Sequence, residues 1–116
     1  RKTAERLREL LNLQDPPTAI MFPDDYTYIG CLQVFENLGV SIPDDLSVVG
    51  YDGIPMSQMI RPKLTTLKQD TEEIGRVSAR ELIQIIENPK NVIVEELMVS
   101  GSLVKGETVK RLSRIN

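Results

Sequence analysis

The spacing of apolar residues along the first third of the chain predicts a helix, a strand and a second helix. Apolar residues at helical intervals predict a helix over residues 1–13, which ends at Asp15-Pro16-Pro17 because proline cannot continue it. Residues 18–22 form a short apolar run between turn residues, which is typical of a buried strand. Helical spacing returns from Tyr28 to Leu38 and predicts a helix that ends at Gly39.

The remaining chain continues this alternation. Residues 46–50 predict a second buried strand, residues 55–60 a short helix and residues 64–68 an extended segment. A long helix is expected from Asp70 or Thr71, either of which could cap it, to about Glu87. Its predicted buried face comprises Ile74, Val77, Leu82, Ile85 and Ile86. Short β-type runs follow at 92–94, 96–99 and 102–104, and they could pair around Gly101.

This order of elements predicts an α/β fold in which helices cover a parallel sheet, because strands that alternate with helices pair in parallel. The chain has 116 residues, enough for one modest domain with a core of its own. Neither an internal repeat nor a low-complexity segment interrupts it.

Charge and hydropathy exclude several kinds of partner. The net charge is −3 and the pI is near 5.0, which disfavours nucleic-acid binding by this segment, since phosphate contacts need a basic surface. We interpret the basic residues of the first helix and the tail as solvated faces and an exposed end. They are Arg1, Lys2, Arg6, Arg8, Lys105, Lys110, Arg111 and Arg114. No apolar run approaches membrane-spanning length and no signal peptide is visible, so we expect no membrane partner.

Residue usage also argues against an enzyme. The absence of histidine excludes Ser-His catalysis and histidine-containing metal sites within the chain. We expect no catalytic residues, no metal-binding residues and no cofactor. The single Cys31 cannot form an internal disulfide, fits a reducing cytosol, and is most simply a small buried apolar side chain. Because the sequence begins at Arg1 within a helical pattern, we interpret it as a fragment.

Acidic and polar residues follow three of the predicted strands. Asp24 and Asp25 follow the first, Asp52 the second, and Gln69 the third. Ligands of open parallel sheets bind beyond the carboxyl ends of the strands. Carboxylates accept charge-assisted hydrogen bonds from neighbouring hydroxyls, which suits a sugar. Each acid also has a plainer interpretation, because one of the first two could cap the next helix and Asp52-Gly53 could form only a turn.

A phosphoryl-accepting receiver domain is an alternative. Such domains place an acidic pair, a third aspartate, a threonine and a lysine in this order. The matching residues are Asp24, Asp25, Asp52, Thr65 or Thr66, and Lys68. The spacing disagrees, because Asp52 follows the pair too closely for the strand and helix normally in between.

Several segments together resemble the LacI/GalR family of bacterial transcriptional regulators. The resemblance covers roughly residues 16–104, and its order and spacing make it more specific than a single motif. Its elements are Pro17-Thr18-Ala19-Ile20, Asp24-Asp25, Gly30, Leu38-Gly39, the run 42–52 ending in Val48-Val49-Gly50-Tyr51-Asp52, the run 62–69 containing Leu64-Thr65-Thr66-Leu67-Lys68-Gln69, and Gly75.

The resemblance implies part of a type I periplasmic-binding-protein-like sensor that follows an N-terminal helix-turn-helix. The DNA-binding head and the first half of the sensor are absent from this sequence. Residues 1–64 and 92–104 would belong to the C-terminal subdomain. Residues 65–91 would contain a hinge crossing and a helix of the N-terminal subdomain.

The same resemblance implies roles for individual residues. Asp52 matches an acid that often contacts the effector, Asp24 occupies a position that is commonly Asn, and Gln69 matches a hinge-side pocket residue. Positions matching the family's dimer interface are Ile29, Gln33, Asn37, Met59 and Ile60. These five could equally be ordinary core or surface residues.

The function implied is that of a cytoplasmic, homodimeric regulator, a repressor or an activator, which responds to a small effector. A sugar or sugar derivative is expected, with operator DNA bound only through the missing helix-turn-helix. A periplasmic sugar-binding protein of the same fold is the competing class. The run Ser47-Val48-Val49-Gly50-Tyr51-Asp52, followed by Leu64-Thr65-Thr66, favours the regulators.

Overall fold

The structure, a computed structural model, describes residues 2–91, 93 and 95–113. Of the sequence predictions, those that concern Arg1, Val92, Val94 and Arg114 fall outside these residues. The helices and strands are α1 (Lys2–Leu11), β1 (Ala19–Met21), α2 (Asp25–Gly30), α3 (Leu32–Leu38), β2 (Ser47–Asp52), a 3₁₀ helix (Pro55–Gln58), β3 (Thr65–Lys68), α4 (Thr71–Glu87) and β4 (Ser102–Val104).

The four strands form one sheet in the order β1-β2-β3-β4. β1 pairs with β2 in parallel, with Ile20 opposite Val48. β2 pairs with β3 in parallel, with Asp52 opposite Lys68. The predicted α/β fold with a parallel sheet is therefore confirmed, and the carboxyl ends of β1, β2 and β3 meet at one edge.

The chain divides into two compact units. The first contains the residues up to Lys68 and those from Leu103 onward, and the second is Gln69–Ser102. The first unit holds the core. Its buried apolar residues are Leu7, Phe22, Tyr28, Cys31, Val34, Phe35, Leu46, Val48 and Leu64.

Aromatic packing connects β1 to the helices that follow it. The ring centroid of Phe22 lies 5.5 Å from that of Tyr28 and 6.3 Å from that of Phe35, both edge to face. Such pairs contribute about 0.5–1.5 kcal/mol each beyond the burial of their area. Cys31 is buried beside them, as predicted, and desolvation raises the pKa of its thiol.

The predicted helix between β1 and β2 is interrupted. Cys31 separates α2 from α3, and its amide donates to the carbonyl of Tyr28 at 2.9 Å. This bond spans three residues rather than four, a tightening that ends α2 and starts a new helix. The end at Gly39 is confirmed, since this residue has φ 66° and caps α3 in the left-handed conformation.

The long helix has the predicted limits but not the predicted burial. Asp70 caps it, accepting from the amide of Glu73 at 3.0 Å. No described residue of α4 is buried, and Leu82 and Ile86 are 58% and 67% exposed. The predicted apolar face therefore exists as a pattern, but its residues are exposed or half-buried rather than buried. Within the described part of 92–104, only Ser102–Val104 forms a strand.

The segment after β4 is anchored, although the sequence suggested an exposed end. Thr108 is fully buried. Its hydroxyl donates to the carbonyl of Val48 at 2.6 Å and accepts from the amide of Thr65 at 2.9 Å. Lys110 is exposed as predicted, but its amide donates to the Ser47 hydroxyl at 3.0 Å. The tail backbone thus extends the hydrogen bonding of β2 and β3.

Over the residues that the structure describes, none of the helices has the length and apolar character needed to cross a bilayer.

Candidate functional site

The strand ends predicted to carry the site converge in the first unit. β1 leads into Asp24 and β2 ends at Asp52, on adjacent parallel strands. Both aspartates are half-buried. Lys68, the last residue of β3, pairs in register with Asp52 and is exposed. The sheet therefore brings a carboxylate from β2, a carboxylate after β1 and a lysine to one edge.

Asp24 is the N-cap of α2. Its Oδ1 accepts from the amide of Thr27 at 2.7 Å, and its backbone is extended, with φ −158°. The capping interpretation is thereby confirmed for Asp24 rather than Asp25. An ionised carboxylate has about four acceptor positions, so a cap leaves capacity for a ligand hydroxyl.

Asp25 has a different environment from its neighbour. It is completely buried. Its Oδ2 accepts from the amide of Ile54 at 3.0 Å, and its Oδ1 accepts from the hydroxyl of Thr66 at 2.7 Å. A Cβ at Gly50 would lie 2.3 Å from Asp25 Oδ1, so this contact requires glycine in β2. Sequence reasoning missed this role, and Gly50 in the middle of a buried strand was its only signal.

Asp52 lies where β2 ends and has an unusual backbone conformation. Its φ is 114° and that of Gly53 is 69°, both in the region that favours glycine. A Cβ at Gly53 would lie 2.5 Å from the Cβ of Lys68. Asp52 is still the last residue of β2 and no hydrogen-bonded turn is assigned to residues 52–54, so the interpretation of Asp52-Gly53 as a turn stays a prediction. It does not compete with ligand binding, since strained backbone is concentrated at functional sites.

Gln69 and Asp70 begin the second unit. Gln69 directly follows β3 and is half-buried, whereas Asp70 is exposed and caps α4. Surface hollows of the second unit lie along α4 instead. One of about 480 Å³ is lined by Glu81, Gln84, Ile85, Glu87, Asn88, Asn91, Ile93 and Glu95. Four of these residues lie in α4 and the other four follow it along the chain, and none lies at a strand end.

The residues predicted at a dimer interface have two environments. Ile29 and Ile60 are half-buried and pack against the core of the first unit. Gln33, Asn37 and Met59 are exposed, with Met59 at 77%. The side-chain Nε2 of Gln33 donates to Asn37 Oδ1 at 3.1 Å.

The receiver-like arrangement is not reproduced. Among residues 2–91, 93 and 95–113, no three Asp, Glu, Cys or His side chains are grouped as they would need to be to hold a metal ion. Asp25, one half of the acidic pair, is committed to Ile54 and Thr66.

The comparison with protein families agrees with this geometry. A model of the periplasmic binding protein-like domain matches residues 1–109. The chain belongs to this family. Similar solved structures include a LacI family regulator and the Lac repressor, and similar curated proteins include transcriptional repressors, which confirms the LacI/GalR resemblance of the sequence.

Three relatives illustrate the likeness. The ribose operon repressor of Halalkalibacterium halodurans is 37% identical over 103 residues, which are 89% of this chain and 31% of the repressor. A LacI family transcriptional regulator from Enterococcus faecium, solved with bound ribose, has 32% identity and a TM-score of 0.82, covering 96% of this chain and 40% of that one. A dimeric Lac repressor with an 11-residue C-terminal deletion has 30% identity and a TM-score of 0.76, and the match covers 93% of this chain and 38% of the repressor chain.

The chain thus spans about a third of the length of the curated relatives that it matches, 31% for the ribose operon repressor. These relatives are transcriptional repressors, which are not enzymes, and the expectation of a non-enzymatic chain is confirmed on that ground.

Proposed function

We propose that this domain is the effector-sensing part of a LacI/GalR-type regulator whose operator binding responds to a small sugar or sugar derivative. The observation that carries the proposal is the convergence of Asp24 and Asp52, both half-buried, at the carboxyl ends of adjacent parallel strands. Ligands of parallel α/β sheets bind at this edge.

The chemistry of these residues supports a carbohydrate. The two carboxylates can accept from neighbouring hydroxyls with charge-assisted hydrogen bonds, and Gln69 can both donate and accept. The similar Enterococcus faecium regulator was solved with ribose, which makes ribose the first effector to test. We assign Asp52, Asp24 and Gln69 as effector contacts.

The assembly and location are part of the same proposal. We infer a cytoplasmic homodimer whose interface includes Ile29, Gln33, Asn37, Met59 and Ile60. The dimeric state of the similar Lac repressor supports this. Operator DNA would contact a helix-turn-helix outside these 116 residues, in keeping with the net charge of −3.

The compact units suggest how the subdomains divide. We propose that the first unit belongs to the C-terminal subdomain and that Gln69–Ser102 belongs to the N-terminal one. This division differs from the sequence prediction in two places. Residues 65–68 are now assigned to the C-terminal subdomain, and residues 93 and 95–102 to the N-terminal subdomain.

Replacing Asp52 tests the site. In the full-length protein, Asp52→Ala should abolish the change in operator affinity caused by ribose while leaving operator binding without ribose unchanged. The reason is that Asp52 would contact the sugar and not the DNA. Fluorescence anisotropy of labelled operator, titrated with ribose, measures both quantities.

Asp44→Ala is the matched control. Asp44 is an exposed acid in the connection before β2 and should respond to ribose like the wild type. A wild-type ribose response in Asp52→Ala would refute the assignment.

A further inference from the structure

Residues 52–54, where the chain turns from β2 into the 3₁₀ helix, have a backbone conformation that needs support. Asp52, with φ 114°, is the only described residue other than glycine with a positive φ. A non-glycine residue in such a region is strained and persists only where the surroundings hold it. Groups around residues 52–54 must therefore stabilise the turn.

Two buried side chains hold the two amides that follow Asp52. The Gly53 amide donates to the Thr66 hydroxyl at 3.3 Å, and the Ile54 amide donates to Asp25 Oδ2 at 3.0 Å. The Thr66 hydroxyl in turn donates to Asp25 Oδ1 at 2.7 Å. Asp25 and Thr66 are both 0% exposed. One buried pair thus anchors two consecutive peptide groups.

The far side of the turn is fixed as well. The Ile54 carbonyl accepts from the Ser57 hydroxyl at 2.7 Å and from the Ser57 amide at 3.1 Å, and Ser57 is fully buried. Since the turn is held at its amides and at its last carbonyl, the position of Asp52 depends on these buried bonds.

We propose that Asp25 and Thr66 are positioning residues that hold Asp52 in the conformation in which its carboxylate binds the effector. They act through the Gly53 and Ile54 amides, because their own side chains are too buried to meet a ligand. The inference rests on the proposed role of Asp52 as an effector contact.

Hydrogen exchange tests the positioning without a ligand. In the full-length protein, Thr66→Val removes the acceptor of the Gly53 amide and the donor to Asp25. Exchange in the peptide covering residues 50–58, followed by mass spectrometry, should become about tenfold faster for two amides. Thr66→Ser keeps the hydroxyl and should restore the wild-type rate, which a purely steric role would not predict.

Two further variants make the test sharper. Asp25→Asn keeps only one acceptor oxygen and should also accelerate exchange, which provides a second route if Thr66→Val folds poorly. Thr65→Val is the control, because Thr65 is buried on the same strand and its hydroxyl accepts from the Gly106 amide at 3.0 Å, away from the turn. It should leave exchange in 50–58 unchanged.

Ribose affinity, measured by calorimetry on the same proteins, separates this inference from the proposed function. Thr66→Val should weaken ribose binding about tenfold or more, while Thr66→Ser and Thr65→Val stay near the wild type. Unchanged exchange in Thr66→Val overturns the positioning role by itself. If Thr66→Val exchanges faster but binds ribose with wild-type affinity, the positioning role is overturned as well. The assignment of Asp52 as an effector contact would still hold in that case, provided that Asp52→Ala loses ribose binding. Wild-type affinity in Asp52→Ala would instead show that the proposed site is wrong.

Discussion

The side chain of Tyr28 places a hydroxyl group in the core of the first unit. The residue is 0% exposed, and its hydroxyl has no hydrogen-bond partner among the described residues. A buried hydroxyl without a partner costs about 1–3 kcal/mol.

Tyr28→Phe keeps the ring contacts with Phe22 and Phe35 and removes only this oxygen. It should raise the free energy of unfolding by about 1 kcal/mol, measured by denaturant titration. Tyr26→Phe, at a position 64% exposed, is the control and should change little. A lower free energy of unfolding for Tyr28→Phe than for the wild type would contradict the unpartnered state of this hydroxyl.

The same hydroxyl predicts a pH dependence. Desolvation raises the pKa of Tyr28 in the folded chain. The folded state therefore holds this proton more tightly than the unfolded state, for which the pKa is about 10. The stability linked to this proton is complete below about pH 10 and is lost as the pH rises through the folded value. Thermal denaturation should show a shallower alkaline loss for Tyr28→Phe than for the wild type. Identical slopes would exclude Tyr28 as the cause.

At the scale of elements, two glycines in the α2–α3 region should respond oppositely to alanine. Gly39 has φ 66° at the end of α3, so Gly39→Ala should destabilise the fold by about 1 kcal/mol. Gly30 ends α2 in a helical conformation, and a Cβ there would meet nothing within 4 Å. Gly30→Ala should be neutral or stabilise by up to about 1 kcal/mol. Denaturant midpoints of the two variants measure the difference, and equal shifts would contradict it.

The elements also show what the sequence can predict. The periodicity of apolar residues located the helices and the parallel strands, because an element that is buried on one face repeats its apolar residues at a fixed interval. It missed the break at Cys31, which depends on a local three-residue hydrogen bond. It also missed Thr108, because a single threonine in a polar tail carries no periodic signal.

The candidate site was predictable only in part. Asp24 and Asp52 follow from strand ends, a local feature of the sequence. Asp25 does not, since its partners Ile54 and Thr66 are 29 and 41 residues away along the chain. Side chains that support a site through long-range contacts become visible only when the sheet register is known.

At the scale of the whole molecule, the second unit carries apolar side chains at helical spacing that are exposed. In α4 the apolar face has the spacing of a buried helix, yet Leu82, Ile83 and Ile86 are between 53% and 67% exposed. Apolar side chains at this spacing are normally covered. The chain also spans only 31% of the ribose operon repressor.

Ligand binding by the 116 residues alone tests how much of the proposed site they carry. The 116 residues carry Asp24, Asp52 and Gln69, but small-molecule sites enclose most of the ligand surface with convergent groups. The 116-residue chain alone should therefore bind ribose at least about a hundredfold more weakly than the full-length protein, a loss of roughly 2.7 kcal/mol. Calorimetry on both proteins measures this, with circular dichroism to verify that the shorter chain is folded. If the folded short chain bound ribose as tightly as the full-length protein, the determinants of affinity would all lie in Asp24, Asp52, Gln69 and their neighbours. The dependence on further chain would then concern transmission to the operator rather than recognition of the sugar.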